Sequence, residues 1–392
     1  MTRHARNVAE VSRIVAAAPA LPRYSYTQSE ITDALVPLLT RDPQHAAMMR
    51  RLHGSSGVDT RHLVMPLEQY GGLDSFQRSN DLFISAGGDL AARAIQDALN
   101  RAGLSPTDVD FLLFTSVTGI AAPSLDARLV ARLGMRTDVK RLPSFGLGCV
   151  AGAAGLARVH DYLKGHPNDV AVLVSVELCS LTVQRGDESI ANLVASGLFG
   201  DGAAAAVVVG DARAEALAQA GAVPGRPGPQ IVDTRGRIYP ETEDVIGWDI
   251  GGSGFRIVLS AGVPAVIERN FAADAVGLLN AHGLGVEDVG TWIAHPGGPK
   301  VLEAFADALE LERADLGPSW RSLARVGNLS SASVLHVLAD TMAADVSAGE
   351  VGMLFALGPG VTAELVLLRW TGSADAGVAD GGVGVAALGV TA

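Results

Sequence analysis

Leu99-Asn100-Arg101-Ala102-Gly103-Leu104-Ser105-Pro106-Thr107-Asp108-Val109 recurs 180 residues later as Leu279-Asn280-Ala281-His282-Gly283-Leu284-Gly285-Val286-Glu287-Asp288-Val289, with six of eleven positions identical. Each copy follows a segment of helical spacing, 90–99 and 266–279, and leads into a short apolar run, 111–115 and 291–294, that reads as a buried strand. A second correspondence lays 148–156 on 327–335 at a shift of 179, each a glycine turn opening a small-residue helix, so that Cys149 falls on Asn328. Further apolar strands are expected at 170–176 and 351–357. The chain therefore reads as two copies of one α/β unit, placed at residues 1–225 and 226–372. They join across 210–236, which is rich in Ala, Gly and Pro and holds Gly225-Arg226-Pro227-Gly228-Pro229. Residues 373–392 are Gly/Ala-rich with neither a charged nor an apolar period, and a mobile tail is expected there.

Composition narrows the function classes. A chain of 392 residues with 48% hydrophobic residues can bury a large core. Thirty Lys and Arg against 42 Asp and Glu leave a net charge of −12, which disfavours a nucleic-acid partner or an anionic membrane surface. Any anionic substrate must then meet a local basic patch. Two cysteines, Cys149 and Cys179, build neither a disulfide framework nor a cysteine metal cluster, and fit a reducing compartment. Residues 1–20 are interrupted by Arg3, Arg6, Glu10 and Arg13, so they lack the apolar core of a secretion signal. No stretch reaches the ~18 uninterrupted apolar residues of a membrane span. The expectation is a cytoplasmic protein with no membrane insertion.

Three residues stand out for their chemistry. Cys149 follows a glycine turn and opens a small-residue helix, where unpaired amides and the positive end of the helix dipole favour thiolate. His295, in Trp292-Ile293-Ala294-His295-Pro296-Gly297-Gly298, stands at the carboxyl end of a buried strand, the usual place for chemistry in α/β folds. Asn328 holds the position in the second half that Cys149 holds in the first. Pseudo-twofold packing of the two units would bring all three to a common cavity.

The Gly-Cys149 turn, His295-Pro296-Gly297-Gly298-Pro299, Gly327-Asn328-Leu329-Ser330-Ser331-Ala332, Leu198-Phe199-Gly200-Asp201-Gly202-Ala203-Ala204 and Gly358-Pro359-Gly360 together resemble the type III polyketide synthases, the chalcone and stilbene synthase family. The resemblance runs in order from about residue 20 to 370. It implies the thiolase fold, an α/β architecture of duplicated units layered αβαβα, working as a homodimer with neither metal nor organic cofactor. It implies that Cys149 is the nucleophile that takes the acyl chain from a starter acyl-CoA, with His295 holding it as thiolate in an imidazolium pair. Asn328 and His295 would stabilise the enolate formed as malonyl-CoA loses carbon dioxide.

By the same resemblance Phe199 and Phe255 are gatekeepers where the CoA tunnel meets the cavity, and Gly358, Pro359 and Gly360 form the loop that frames it. Thr118, Ala122, Cys179, Thr182 and Ser330 match cavity wall positions. For CoA, Arg51 matches a basic position at the tunnel mouth; Met48 and Ser55 fall where lysines are usual, which leaves Arg50 or Lys300 as substitutes. The small wall residues resemble the bacterial branch of alkylresorcinol and alkylpyrone synthases. That branch takes medium or long fatty acyl starters, here with malonyl-CoA or methylmalonyl-CoA as extender, and an apolar tunnel would gain ~0.8 kcal/mol for each methylene buried. The segment 242–249, Thr-Glu-Asp-Val-Ile-Gly-Trp-Asp, is shared with enzymes primed by malonyl-CoA to give tetrahydroxynaphthalene, the alternative within the class. A β-ketoacyl-acyl carrier protein synthase III is the alternative outside it, disfavoured by the acidic charge and the His-Pro-Gly-Gly loop.

Overall fold

The computed structural model describes residues 11–221 and 228–371. The expected boundary at 225/226 and the expected tail at 373–392 lie outside the described residues.

The repeated stretch makes one turn twice. Helix Gly88–Ala102 ends as the amides of Gly103 and Leu104 bond back to the carbonyls of Asn100 and Leu99 at 3.2 and 3.0 Å. Beyond helix Val263–Asn280, the amides of Gly283 and Leu284 reach Asn280 and Leu279, each at 3.1 Å. Gly103 and Gly283 take left-handed φ values of 67° and 68°, which a side chain disfavours. Asp108 and Asp288 then accept the amides of Ser105 and Gly285 at 2.9 and 2.8 Å. All six identical pairs thus serve the same bonds in both halves, Val109 and Val289 through their amides on the carbonyls of Pro106 and Val286.

The strands repeat the same connectivity. In the first half, Ser12–Ala20 runs antiparallel to Asp201–Gly210, which is antiparallel to Val170–Leu178; Phe111–Thr115 and Lys140–Ser144 follow in parallel. In the second, Gln230–Ile238 runs antiparallel to Thr362–Arg369, which is antiparallel to Val351–Gly358, with Val289–Ala294 parallel beyond it. The two first strands meet through only two residue pairs, Ser12 with Ile231 and Arg13 with Gln230, joining the halves into one nine-stranded sheet. The repeat is incomplete: helix Gly317–Val326 stands where the first half has its edge strand Lys140–Ser144.

Side-chain alternation along the strands builds the layers. Leu112, Phe114, Val172 and Val174 pack outward on helix Gly88–Ala102. Leu113 and Leu173, with Leu354, Ala356 and Val366 from the other half, face a shared middle layer of helices Ala151–Gly165 and Ser333–Ala343. Met353, Phe355, Leu365 and Leu367 pack outward on Val263–Asn280. The result is the αβαβα layering expected from the duplication, with the two halves enclosing the middle helices.

Two expectations need correction. Residues 210–236 are not merely a joining segment, since they hold helix Asp211–Gln219 and strand Gln230–Ile238. Alanine-rich composition concealed the helix, although alanine is the strongest helix former. The shift of 179 at the middle helices is also wrong by three residues. Single 3-10 turns at Gly148–Val150 and Ser330–Ala332, opened by left-handed residues at φ 58° and 49°, lead into helices beginning at Ala151 and Ser333. The structural offset is 182, so Ser331, not Asn328, is the counterpart of Cys149.

The middle helices approach closely at Gly152, where a Cβ would lie 2.4 Å from the Ser331 carbonyl oxygen and 2.6 Å from Val334 Cγ1. Gly152→Ala should lower stability by roughly 1–3 kcal/mol through overpacking, although alanine is favoured in helices by about 1 kcal/mol. Urea unfolding checks this; an unchanged or raised midpoint would mean that the halves are not in such close contact.

Candidate active site

The turn that carries Cys149 is shaped by glycine on both sides of a close approach. Gly148 has φ 58°, and a Cβ there would lie 2.4 Å from Pro359 Cδ; a Cβ on Gly358 would lie 2.5 Å from the Leu147 carbonyl oxygen. The Gly358-Pro359-Gly360 loop is thereby seated directly on the cysteine turn. The Cys149 thiol donates to Ser330 Oγ at 3.5 Å, its one hydrogen-bond partner among the described residues. Ser330 comes from the other half and donates its amide to Asn328 Oδ1 at 2.8 Å. Asn328 Nδ2 in turn donates to the Gly297 carbonyl at 3.2 Å, two residues beyond His295. A continuous bonded chain therefore runs from Cys149 through Ser330 and Asn328 to the His295 loop.

His295 follows the strand Val289–Ala294 and is fixed by its amide on the Phe355 carbonyl at 2.9 Å. Its Nδ1 is buried without a partner among the described residues. Burial pushes the imidazole down to about 3 and the Cys149 thiol up to about 12, the latter also raised by the nearby Glu177 charge. Burial therefore favours the uncharged form of each group taken singly. Desolvation of the half-buried cysteine thus opposes the thiolate expected from the helix start.

Asn328 also pairs with Phe199. Its amide donates to the Leu198 carbonyl and its carbonyl accepts from Gly200, both at 2.9 Å, placing Phe199 opposite it. Phe199, Cys179, Thr182, Ser330 and Pro359 line one cavity with Cys149, whose free volume is about 70 Å³. Phe255 and Thr118 line a neighbouring cavity of about 580 Å³. Ala122 is exposed and lines neither. Nor do the basic residues expected for CoA enter either cavity. Arg50 is exposed and paired with Asp33, Arg51 is exposed, and Lys300 is exposed at the start of helix Pro299–Leu309.

Several residues of the site escaped the sequence reading. Glu177 is fully buried and takes donors from Thr118 Oγ1 at 2.9 Å, the Val117 amide at 3.2 Å, Ser116 Oγ at 3.3 Å and Ser331 Oγ of the other half. Burial still pushes its carboxyl up to about 7. Its one signal was a lone acid in the apolar run VAVLVSVEL. Arg61, 2% exposed, lines the Cys149 cavity and donates to the carbonyls of Ser196 and Phe199 at 2.8 and 2.7 Å. Burial lowers it only to about 10, so it stays charged at neutral pH. Asp201, in the Phe-Gly-Asp-Gly stretch, accepts the Ser180 amide and hydroxyl at 2.8 and 2.6 Å and the Val64 amide at 2.8 Å; burial raises it to about 6.

Residues 230–371 match the family described as chalcone and stilbene synthases, C-terminal domain, and 40–220 match the FAE1/type III polyketide synthase-like family. A 1,3,6,8-tetrahydroxynaphthalene synthase of Streptomyces peucetius subsp. caesius is 54% identical over 362 residues, 91% of this chain and 93% of its own length. The chain belongs to the chalcone and stilbene synthase family of type III polyketide synthases. A putative chalcone synthase of Bacillus subtilis (strain 168) is 32% identical over 366 residues, 91% of this chain and 98% of that protein. The crystal structure of 1,3,6,8-tetrahydroxynaphthalene synthase from Streptomyces coelicolor A3(2), a bacterial type III polyketide synthase, superposes with a TM-score of 0.84 at 32% identity, covering 92% of this chain and 99% of that one.

As a type III polyketide synthase the chain is an enzyme of decarboxylating condensation. The fatty acyl starter expected from small wall residues is less well supported than the tetrahydroxynaphthalene alternative, because the 54% relative bears that name. Among the described residues no helix is long and apolar enough to cross a membrane, and no cluster of His, Cys, Asp or Glu could hold a metal ion.

The buried carboxyls give the fold a pH signature. Glu177 ionises near 4.5 when free but at about 7 when folded, so the folded chain binds its proton more tightly and stability falls as pH rises across that window. Asp201, raised to about 6, acts in the same direction. Buried His53, His295 and His336, lowered to about 4, 3 and 4, act in the opposite direction between about pH 5 and their ordinary value of 6.5. In Glu177→Gln the stability at about pH 8 relative to that at about pH 5 should therefore rise compared with the unaltered protein. Urea unfolding at the two pH values tests this; an unchanged difference would place the titration elsewhere.

Proposed function

We propose that this type III polyketide synthase is primed by malonyl-CoA and extends and cyclises the chain to 1,3,6,8-tetrahydroxynaphthalene. The observation that carries the reading is the 54% identity over 91% of the chain to the enzyme of that name.

Cys149 is the nucleophile. Its proton passes to His295, the sulfur attacks the thioester carbonyl and CoA leaves as its thiolate. Burial disfavours either charge alone, so thiolate and imidazolium must form together as a pair. Malonyl-CoA then loses carbon dioxide, and the enolate oxygen takes hydrogen bonds from His295 and from the second N–H of Asn328, the first being held by Gly297. The enolate carbon attacks the acyl-Cys149 carbonyl and releases the sulfur for another round. This chemistry uses CoA thioesters and no resident cofactor. Arg51, Arg50 and Lys300 are the proposed phosphate contacts, with Arg50 leaving Asp33 to serve.

A homodimer fits the surface. The edge strand Lys140–Ser144 pairs on one side only, and Leu142, Phe145 and Ile120 are 45%, 46% and 48% exposed near it. A second copy covering this edge would also bury Ala122.

Malonyl-CoA alone should release carbon dioxide and a naphthalenic product, read by radiolabel and chromatography. Turnover only when a medium or long acyl-CoA is added would return the fatty acyl reading, and no decarboxylation with any starter would sink the synthase assignment. In His295→Gln the group that takes the Cys149 proton is gone, so iodoacetamide should alkylate Cys149 at pH 7 roughly 100-fold more slowly than in the unaltered enzyme. Equal rates would show that His295 does not support the thiolate.

A further inference from the structure

Phe255 is carried by a hairpin, Ile246–Gly251 and Gly254–Leu259, that forms its own two-stranded sheet apart from the nine-stranded one. Among the described residues, the hydrogen bonds from 246–259 to the rest of the fold come from two residues. The Gly360 amide donates to the Ile246 carbonyl at 3.3 Å, at the base. At the turn, Gln184 Nε2 donates to the carbonyls of Ser253 and Phe255 at 3.3 and 3.2 Å. The same nitrogen reaches the Thr182 carbonyl at 3.2 Å, on the loop after Cys179. Two protons are therefore shared among three carbonyls that belong to the wall and the gate.

Gln184 is itself held from behind. Its backbone carbonyl accepts Asn192 Nδ2 at 2.9 Å, and Asn192 is 3% exposed on helix Ile190–Leu198, which Ser189 caps. Around the turn, Phe255 meets Phe76 edge-on at 5.3 Å and Phe145 and Trp248 at 6.0 Å each, contacts that orient its ring without fixing its backbone. Gln184, Phe255 and Thr118 line the same cavity of about 580 Å³.

We propose that Gln184 is a positioning residue whose side-chain amide fastens the Phe255 hairpin to the cavity wall and so limits how far the polyketide grows before it cyclises. The proposal rests on the synthase reading for its chemical consequence, but not for its structural one. Long, shared hydrogen bonds make a reversible clasp: the hairpin yields to admit a CoA thioester and closes again on the growing chain. Loosening it would enlarge the space beside Phe255 and let chains of other lengths leave.

The test uses the full chain with Gln184→Met, which keeps length and removes the donor, Gln184→Asn, which keeps the amide but falls short, and Gln184→Lys, which offers one proton to each carbonyl. Without substrate, hydrogen–deuterium exchange across 246–259 should accelerate roughly tenfold in the Met and Asn variants and return to within about twofold in the Lys variant. Given malonyl-CoA, the Met and Asn variants should shift from one product to a mixture of chain lengths, with KM changing less than the product ratio. Exchange unchanged in both Met and Asn overturns the clasp, whatever the enzyme makes. Faster exchange with an unchanged product ratio overturns the control of chain length. Wild-type protein that fails to decarboxylate overturns the synthase reading instead, and leaves the exchange result standing.

Discussion

The adjacent hydroxyls of Ser330 and Ser331 join the two halves of the molecule at its chemical centre. Ser330, in a left-handed conformation at φ 49°, accepts the thiol of Cys149, and Ser331 bonds Glu177 on a strand of the first half. A non-glycine residue held there carries a conformational cost of order 1–3 kcal/mol, which persists only where the surroundings fix it. Here they do. The middle helices approach so closely at Gly152 that the turn before Ser333 has little freedom, and Asn328 secures the Ser330 amide from the other side. If this contact slipped, the cysteine, the asparagine and the histidine loop would no longer share one bonded chain.

Burial sets the electrostatics of the same region. Cys149, His295, Glu177 and Asp201 are all pushed by desolvation toward their neutral forms, with Glu177 and Asp201 partly relieved by hydroxyl and amide donors. A site that disfavours isolated charges favours proton transfers that create or remove charge in pairs, which is what acyl transfer from a thioester to a thiol requires. Arg61 is the exception: it stays charged at neutral pH, with the Asp201 charge opposing its desolvation, while Gln28 Oε1 and the carbonyls of Ser196 and Phe199 take four of its five N–H donors.

Much of this was legible in the sequence where residue identity and local bonding coincide. Leu99, Asn100, Gly103, Leu104 and Asp108 repeat because each half needs the same helix stop. The order of strands followed from the duplication. What misled was composition without pattern: small residues in the middle helices gave no register, so Asn328 was laid on Cys149 although Ser331 is its structural counterpart. Glu177, Arg61 and Gln184 were missed for a different reason. Their roles arise from contacts across more than a hundred residues of chain, as between Glu177 and Ser331 or Arg61 and Phe199, or across a separate hairpin, as between Gln184 and Phe255. Arg50 and Arg51 were placed by analogy, and the fold leaves them on the exposed face of helix Pro43–Gly54.

The central claim is that the two halves converge to make Cys149 the residue that carries the growing chain. Rapid quenching of the enzyme during turnover of malonyl-CoA alone, followed by proteolysis and mass spectrometry of the peptides, reads that directly. The account predicts acyl adducts of increasing length confined to the peptide that contains Cys149. Adducts on Cys179, or turnover with no thioester adduct on either cysteine, would contradict it.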